Sequence, residues 1–214
     1  MDIRLVGGVA IIVFSVAATG AAGQLPGNSS EPLQEYEDRA QSYELFIQSL
    51  RLEDSGDVVH AIDLLSRASE LDPGAAAIPA AQAALYAQIG QTTDAIRVAE
   101  RALTLDAEYG EAHRVLGLIF ATLSEQTHEQ RDGRSSSEAE VYRGRALTHL
   151  EQAVVAGELD GRITFILARL YVETGAVDKA IVTLEPFVRD RPGFVDGLLL
   201  LVRAYVEGGR LAEA

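Results

Sequence analysis

Metal ligation and proton transfer would fall first to the histidines, and this 214-residue chain has four: His60, His113, His128 and His149. None stands in a His-Glu-x-x-His pattern or at ligand spacing from carboxylates, so no metal centre is expected. His113 falls among Leu116, Gly117 and Phe120 at helical spacing, which reads as packing between helices. Nucleophilic chemistry is no better served. Cysteine is absent, which removes thiol nucleophiles, thiolate metal sites and disulfides together. Ser135 and Glu138 make a capping box, so the Ser135-Ser136-Ser137 run reads as the start of a helix. The glycines fall mostly at turns, with no run that could cradle a phosphate. No catalytic constellation and no cofactor site emerge, and the chemistry left to look for is recognition by arginines and large apolar side chains on a shared surface.

The elements that position such a surface follow a period. Gly56, Ala61, Ile62, Ala68, Leu71 and Asp72 are matched by Gly90, Ala95, Ile96, Ala102, Leu105 and Asp106, each 34 residues later. Gly175 and Ala180 are matched by Gly209 and Ala214 at the same interval. A fixed period of this size means stacked units sharing one continuous core. Apolar spacing makes each unit a helical hairpin. The first helix starts near Arg39, with Tyr43, Phe46, Ile47 and Leu50 on one face and Leu45, Ser49 and Leu52 on another. Gly56 breaks it, and a second helix runs from Asp57 to Leu71. The next hairpin is expected over Ala80 to Ile89 and Thr93 to Leu105, and the third begins near Tyr109. Between Ala95 and its counterpart Ala146 lie 51 residues, one and a half periods, so an insertion enters the third hairpin around residues 124–137. Its first helix should run long, turn near Gly133 and lead to a second starting near Ser136. Either the hairpin is simply lengthened, as insertions in repeat arrays often are, or it is an arm that binds a partner. The fourth hairpin covers Ile163 to Glu173 and Val177 to Arg189, where Pro186 should kink the helix or expose a carbonyl. A fifth starts at Phe194.

Arg4, the apolar run Leu5 to Ala18 and the small residues Ala21-Ala22-Gly23 have the form of a secretory signal peptide, with cleavage after Ala22 or Gly23. Left uncleaved, the same segment could anchor the chain in a membrane. Residues 24–38, with Pro26, Gly27, Asn28, Ser29, Ser30 and Pro32, read as a flexible linker, and residues 39–214 as the repeat domain. The net charge of −14 argues against general nucleic-acid binding, which needs clustered cations.

The hairpins resemble the tetratricopeptide repeat, with its W-x2-L-G-x2-Y, A-x3-F and P positions in 34 residues. The third copy reads His113-x2-Leu116-Gly117-x2-Phe120. The fourth reads Leu167-Ala168-x2-Tyr171, Ala180-x3-Leu184 and Pro192, and the fifth Leu201-Val202-x2-Tyr205. The first keeps Ala61-x3-Leu65 and Pro73, the second Ala83-x2-Tyr86, Ala95 and Ala102. Gln48 and Gln82 stand where Leu is usual, and Pro79 where a large residue is. The resemblance implies an all-α solenoid of about five hairpins, the last incomplete, whose first helices line a concave, non-catalytic groove for a protein or peptide. By register that groove carries Tyr43, Phe46 and Leu50, then Ala77, Ala80 and Ala84, then Glu111, Arg114 and Leu118. Arg162, Phe165 and Arg169 follow, then Asp196, Leu199 and Arg203. Arg169 and Arg203, one repeat apart, suit a carboxylate or acidic peptide. Alternatively they pair with Glu173 and Glu207 and solvate the face. Phe46 and Leu50 occupy the positions where chaperone-binding members carry Lys and Asn.

Two functional readings follow: an exported scaffold of a bacterial-type cell envelope, in the periplasm or anchored to the inner membrane, or the docking segment of a longer enzyme or secretion component. Ala214 corresponds to residues early in a second helix, so the fifth hairpin is expected to be cut in half. Leu198, Leu201 and Tyr205 would then lie uncovered and favour self-association through the C-terminal helix.

Overall fold

A helix that ends in water leaves carbonyls without partners, and at the hairpin turns glycine resolves this. Gly56 and Gly90 have φ of 84° and 76°, a region where a side chain would be strained. At Gly56 the N–H donates to the Glu53 carbonyl (2.9 Å) and the Asp57 N–H reaches back to Leu52 (2.8 Å). At Gly90 the same bonds run to Ala87 (3.1 Å) and from Gln91 to Tyr86 (2.9 Å). This closure turns the chain sharply and permits an antiparallel second helix.

The computed structural model describes residues 31–129, 133–210 and 212–213. Those residues form the helices α1 (Glu31–Asp54), α2 (Val58–Leu71), α3 (Ala77–Gln88), α4 (Thr92–Leu105), α5 (Gly110–Glu129), α6 (Gly133–Val155), α7 (Gly161–Glu173), α8 (Val177–Asp190) and α9 (Val195–Glu207). Four antiparallel hairpins and a ninth helix stack into the all-α solenoid that the period implies. Each odd helix from α3 to α7 touches the next odd one, so the first helices form a continuous wall.

α1 starts at Glu31, eight residues before the expected Arg39. Proline in the first helical turn forfeits no hydrogen bond, so Pro32 is compatible with this start. Exposed pairs one turn apart support the segment, Gln34 with Asp38 and Arg39 with Glu35 (2.9 and 2.8 Å). Residues 31–38 are therefore helical rather than linker. Residues 1–30, on which the expected leader and the rest of the expected linker fall, lie outside the described residues. Among the described residues no helix is long and apolar enough to cross a membrane.

The insertion lengthens both helices of the third hairpin. α5 has 20 residues and α6 has 23, against 12 to 14 in the neighbouring hairpins. α6 starts at Gly133, three residues before the expected Ser136, and residues 130–132 lie outside the described residues. Gly117 sets the distance between these helices. A Cβ there would stand 2.6 Å from Leu150 Cγ and Cδ2 and 3.1 Å from the Leu150 backbone nitrogen. Gly117→Ala should therefore overpack the hairpin and lower the unfolding free energy by about 1–3 kcal/mol, measured by urea denaturation.

Small residues do the same elsewhere: Ala61, Ala95, Ala146 and Ala180 are fully buried where the two helices of a hairpin meet. Gln82 is buried too, and donates to Ser66 Oγ at 2.8 Å, so the polar residue in a Leu position has a partner. α8 continues through Pro186. Val182, whose carbonyl Pro186 cannot use, has an exposed side chain, so water is at hand to satisfy that group. At α9, Leu201 and Tyr205 pack against the core, and Tyr205 donates to Glu185 at 2.8 Å. The open face is instead Val195, Leu198, Leu199, Val202 and Val206, which corrects the expectation for Leu201 and Tyr205.

Candidate functional site

The inner wall opens between α3 and α5 into a cavity of about 450 Å³. Its apolar floor comes from Ala84 and Ala87 of α3 and from Val115, Leu118, Ile119 and Leu123 of α5. Gln88, Thr92, Thr122 and Gln126 supply neutral donors and acceptors around it. Arg114, Leu118, Thr122 and Gln126 line it at four-residue intervals, one stripe of α5. An apolar floor with a few placed polar groups is the usual build of a binding site.

The charges of this cavity are arranged end to end. Arg114 is committed to its own helix: Nε donates to Glu111 Oε2 and Nη2 to Oε1, each at 2.5 Å. That bond raises the guanidinium pKa further, against the opposing effect of burial. The pair is thus close to a neutral unit. Arg162 stands at one end, in the first turn of α7, and Glu53 at the other, at the end of α1; neither forms an ion pair with a described residue. The α7 start is fixed by Asp160, whose Oδ1 accepts the Ile163 N–H at 2.8 Å, a capping bond that holds the turn bearing Arg162.

A second, smaller cavity of about 160 Å³ lies between α1 and the start of α3, lined by Tyr43 and Phe46 with Arg39, Ala75, Ala77 and Ile78. Of the expected groove residues, then, Arg114, Leu118 and Arg162 converge on one cavity and Tyr43 and Phe46 on another. Leu50, Phe165, Arg169, Leu199 and Arg203 line neither. Ala80, expected on the groove, is fully buried against Ala102 and Ala112, because a methyl group is small enough to sit where α3 meets the following helices. Phe165 packs edge-to-face on Phe194, with ring centroids 5.0 Å apart. Leu199 is exposed, and Arg203 pairs with Glu207 at 2.7 Å.

Arg169 is held by a network across three helices. Glu125 of α5 pairs with it, Glu173 lies 3.8 Å from its Nε, and Arg143 of α6 reaches the same Glu173 at 3.0 Å. Two arginines and two carboxylates thus tie the lengthened hairpin to α7. The sequence alone did not single out the other lining residues, Glu53, Ala87, Gln88 and Thr92 before α5 and Val115, Ile119, Thr122, Leu123 and Gln126 on it. Thr122 and Gln126 continue the stripe of Arg114 and Leu118, and extending that spacing along the long helix would have found them.

Between α5 and α6, His113 and His149 meet with Nδ1 atoms 2.9 Å apart, and His113 Nε2 lies 3.0 Å from the Ala107 carbonyl. A carbonyl only accepts, so His113 Nε2 carries its proton and Nδ1 accepts from His149 Nδ1–H. Burial, then the charges of His113 and Arg145, hold the His149 pKa down to about 4. Among the described residues no group of three or more histidines, aspartates or glutamates could hold a metal ion.

The tetratricopeptide repeat family model matches residues 79–128 and 143–185. No curated protein matches the chain. Among solved structures, the chain is similar to YrrB, described as a tetratricopeptide-repeat protein with an unusual peptide-binding site, at 19% identity. That match covers 84% of this chain and 83% of YrrB, with a TM-score of 0.62. MamA from Desulfovibrio magneticus RS-1 is 17% identical, covering 81% of this chain and 88% of its own, with a TM-score of 0.60. TTC0263 from Thermus thermophilus is 20% identical, with 80% and 85% covered and a TM-score of 0.55. At these identities the likeness is one of fold.

Proposed function

The chain is a tetratricopeptide-repeat protein, and from that premise we propose that it is a non-catalytic scaffold of the cell envelope that holds an extended segment of a partner protein in the groove between α3 and α5. The observation that carries this reading is the cavity of about 450 Å³, apolar at its floor, with Glu53 at one end and Arg162 at the other. A segment fitting it places an aliphatic or aromatic side chain on Leu118 and Ile119. Its carboxylate, from an acidic residue or a chain end, lies toward Arg162. Thr122, Gln126 and Gln88 are placed to bond its backbone. YrrB offers a precedent for peptide recognition on this fold, by the description given to that protein. Envelope placement rests on the form of residues 1–23.

Leu118→Glu combined with Arg162→Glu should weaken retention of the partner from envelope extract by at least about tenfold, since truncating or reversing central contacts carries most of the binding energy. Val59→Glu with Val182→Glu, both at exposed positions outside the cavities, should leave retention unchanged. Equal retention by both pairs would overturn the groove assignment. Export is tested separately by sequencing the mature N-terminus, which should begin at Gly23 or Gln24; a cytosolic protein starting at Met1 would overturn it.

A further inference from the structure

α1 carries a second apolar face that the solenoid leaves mostly open, with Ile47 half-buried and Tyr43 at the edge of the smaller cavity. Leu33, Tyr36, Ala40, Tyr43, Ile47 and Leu50 alternate at intervals of three and four residues, which fills both seam positions of three successive heptads, Leu33, Ala40 and Ile47 at a and Tyr36, Tyr43 and Leu50 at d. Leu33, Tyr36 and Tyr43 are 66%, 73% and 68% exposed. Leu45 and Leu52, at f positions, and Phe46, at g, are the apolar residues of α1 that pack against the adjoining helices. The helix is also 24 residues long beside a 14-residue α2. Residues 33–41 are exposed on all sides but for the half-buried Asp38. An isolated helix of that length is marginal in water.

We propose that α1 pairs in parallel with α1 of a second copy of this chain. The seam matches itself under a two-fold axis, as a closed homodimer requires. Charge fixes the direction. In the parallel register Arg39, at g, faces Glu44 of the second copy, at the following e position, on both sides of the seam. Turning one helix round would instead set Glu37 beside Glu44 of the second copy. Among the described residues Arg39 pairs with Glu35 alone, in an exposed pair that constrains it little. The remaining acids of the projecting part, Glu31, Glu35 and Asp38, stand at c and f positions, away from the seam.

The absence of cysteine makes this testable by single-cysteine scanning on the full chain. Disulfide cross-linking should be strong for Tyr36→Cys, Ala40→Cys and Tyr43→Cys, and weak for Glu35→Cys, Asp38→Cys and Gln41→Cys. The period distinguishes a seam from association driven by the leader. Tyr36→Glu combined with Tyr43→Glu should then reduce cross-linking through Ala40→Cys at least about tenfold, as for any central contact of an interface. No cross-linking at any position, uniform cross-linking around the helix, or cross-linking untouched by the glutamates would each overturn the proposal.

Discussion

Phe120→Ala should lower the unfolding free energy by about 3–5 kcal/mol, the range for removing a buried aromatic side chain without collapse of the space it leaves. Phe120 is 1% exposed in the middle of α5. Tyr142 and His149 of α6 stack on it, with ring centroids 6.1 and 5.8 Å away. The Arg145 guanidinium lies 4.5 Å from its centre, an attraction added to that of burial. All three partners come from one helix, so Ala at this position loosens the hairpin that carries the groove floor. Urea denaturation followed by helical signal measures the effect. Val182→Ala, at an exposed position, should change stability by less than about 0.5 kcal/mol. A loss below about 1 kcal/mol at Phe120 would mean that α5 and α6 are not packed as described.

The second large effect is on pH. The His149 pKa falls from its ordinary 6.5 to about 4 in the folded chain, so between these values the unfolded chain binds more protons. Stability therefore rises with pH across that window, is fully present above about 6.5 and is lost as pH falls through about 4. The shift corresponds to about 2–3 kcal/mol after allowance for the partial exposure of the ring. Because His149 Nδ1 already donates its proton to His113, the added proton would go to Nε2 and gain nothing from that contact. His149→Phe keeps a ring beside Phe120 and removes the titration. The stability lost between pH 7 and pH 4.5 should be smaller in this variant by about that amount. An imidazole resonance of His149 that titrates near 6.5 would contradict the account.

Much of the fold was legible because the repeat imposes the same demands at fixed intervals. Gly56, Gly90, Gly175 and Gly209 all adopt positive φ, and Ala61, Ala95, Ala146 and Ala180 are all buried without remainder. Such positions announce themselves, since a turn admits few residue types and a close approach admits fewer. Helix ends were harder. Pro32 looked like linker composition, whereas a proline in the first helical turn costs nothing, and only the backbone reveals which case applies.

The lining of the cavity between α3 and α5 was legible in part. Arg114, Leu118 and Arg162 could be placed from register alone, because helical spacing and the hairpin repeat determine which side faces inward. What register does not contain is the set of neighbours across helices. Glu125 reaches Arg169 only because α5 is longer than its counterparts, and the Glu111 carboxylate that occupies Arg114 is a choice of rotamer. Arginines that look alike in the sequence therefore differ in availability, with Arg114, Arg169 and Arg203 held by carboxylates and Arg162 unpaired among the described residues.

An extended segment of another protein held on the inner wall between α3 and α5 would lie against the methyl groups of the cavity floor. Linear peptides selected from a random displayed library on the full chain, then titrated into methyl-labelled protein, test this placement residue by residue. Shift changes should gather on Ala84, Ala87, Val115, Leu118, Ile119 and Leu123, and the selected peptides should pair an apolar residue with a carboxylate. Shift changes that gather on Val59, Val155 and Val182, with the groove methyls unmoved, would contradict it.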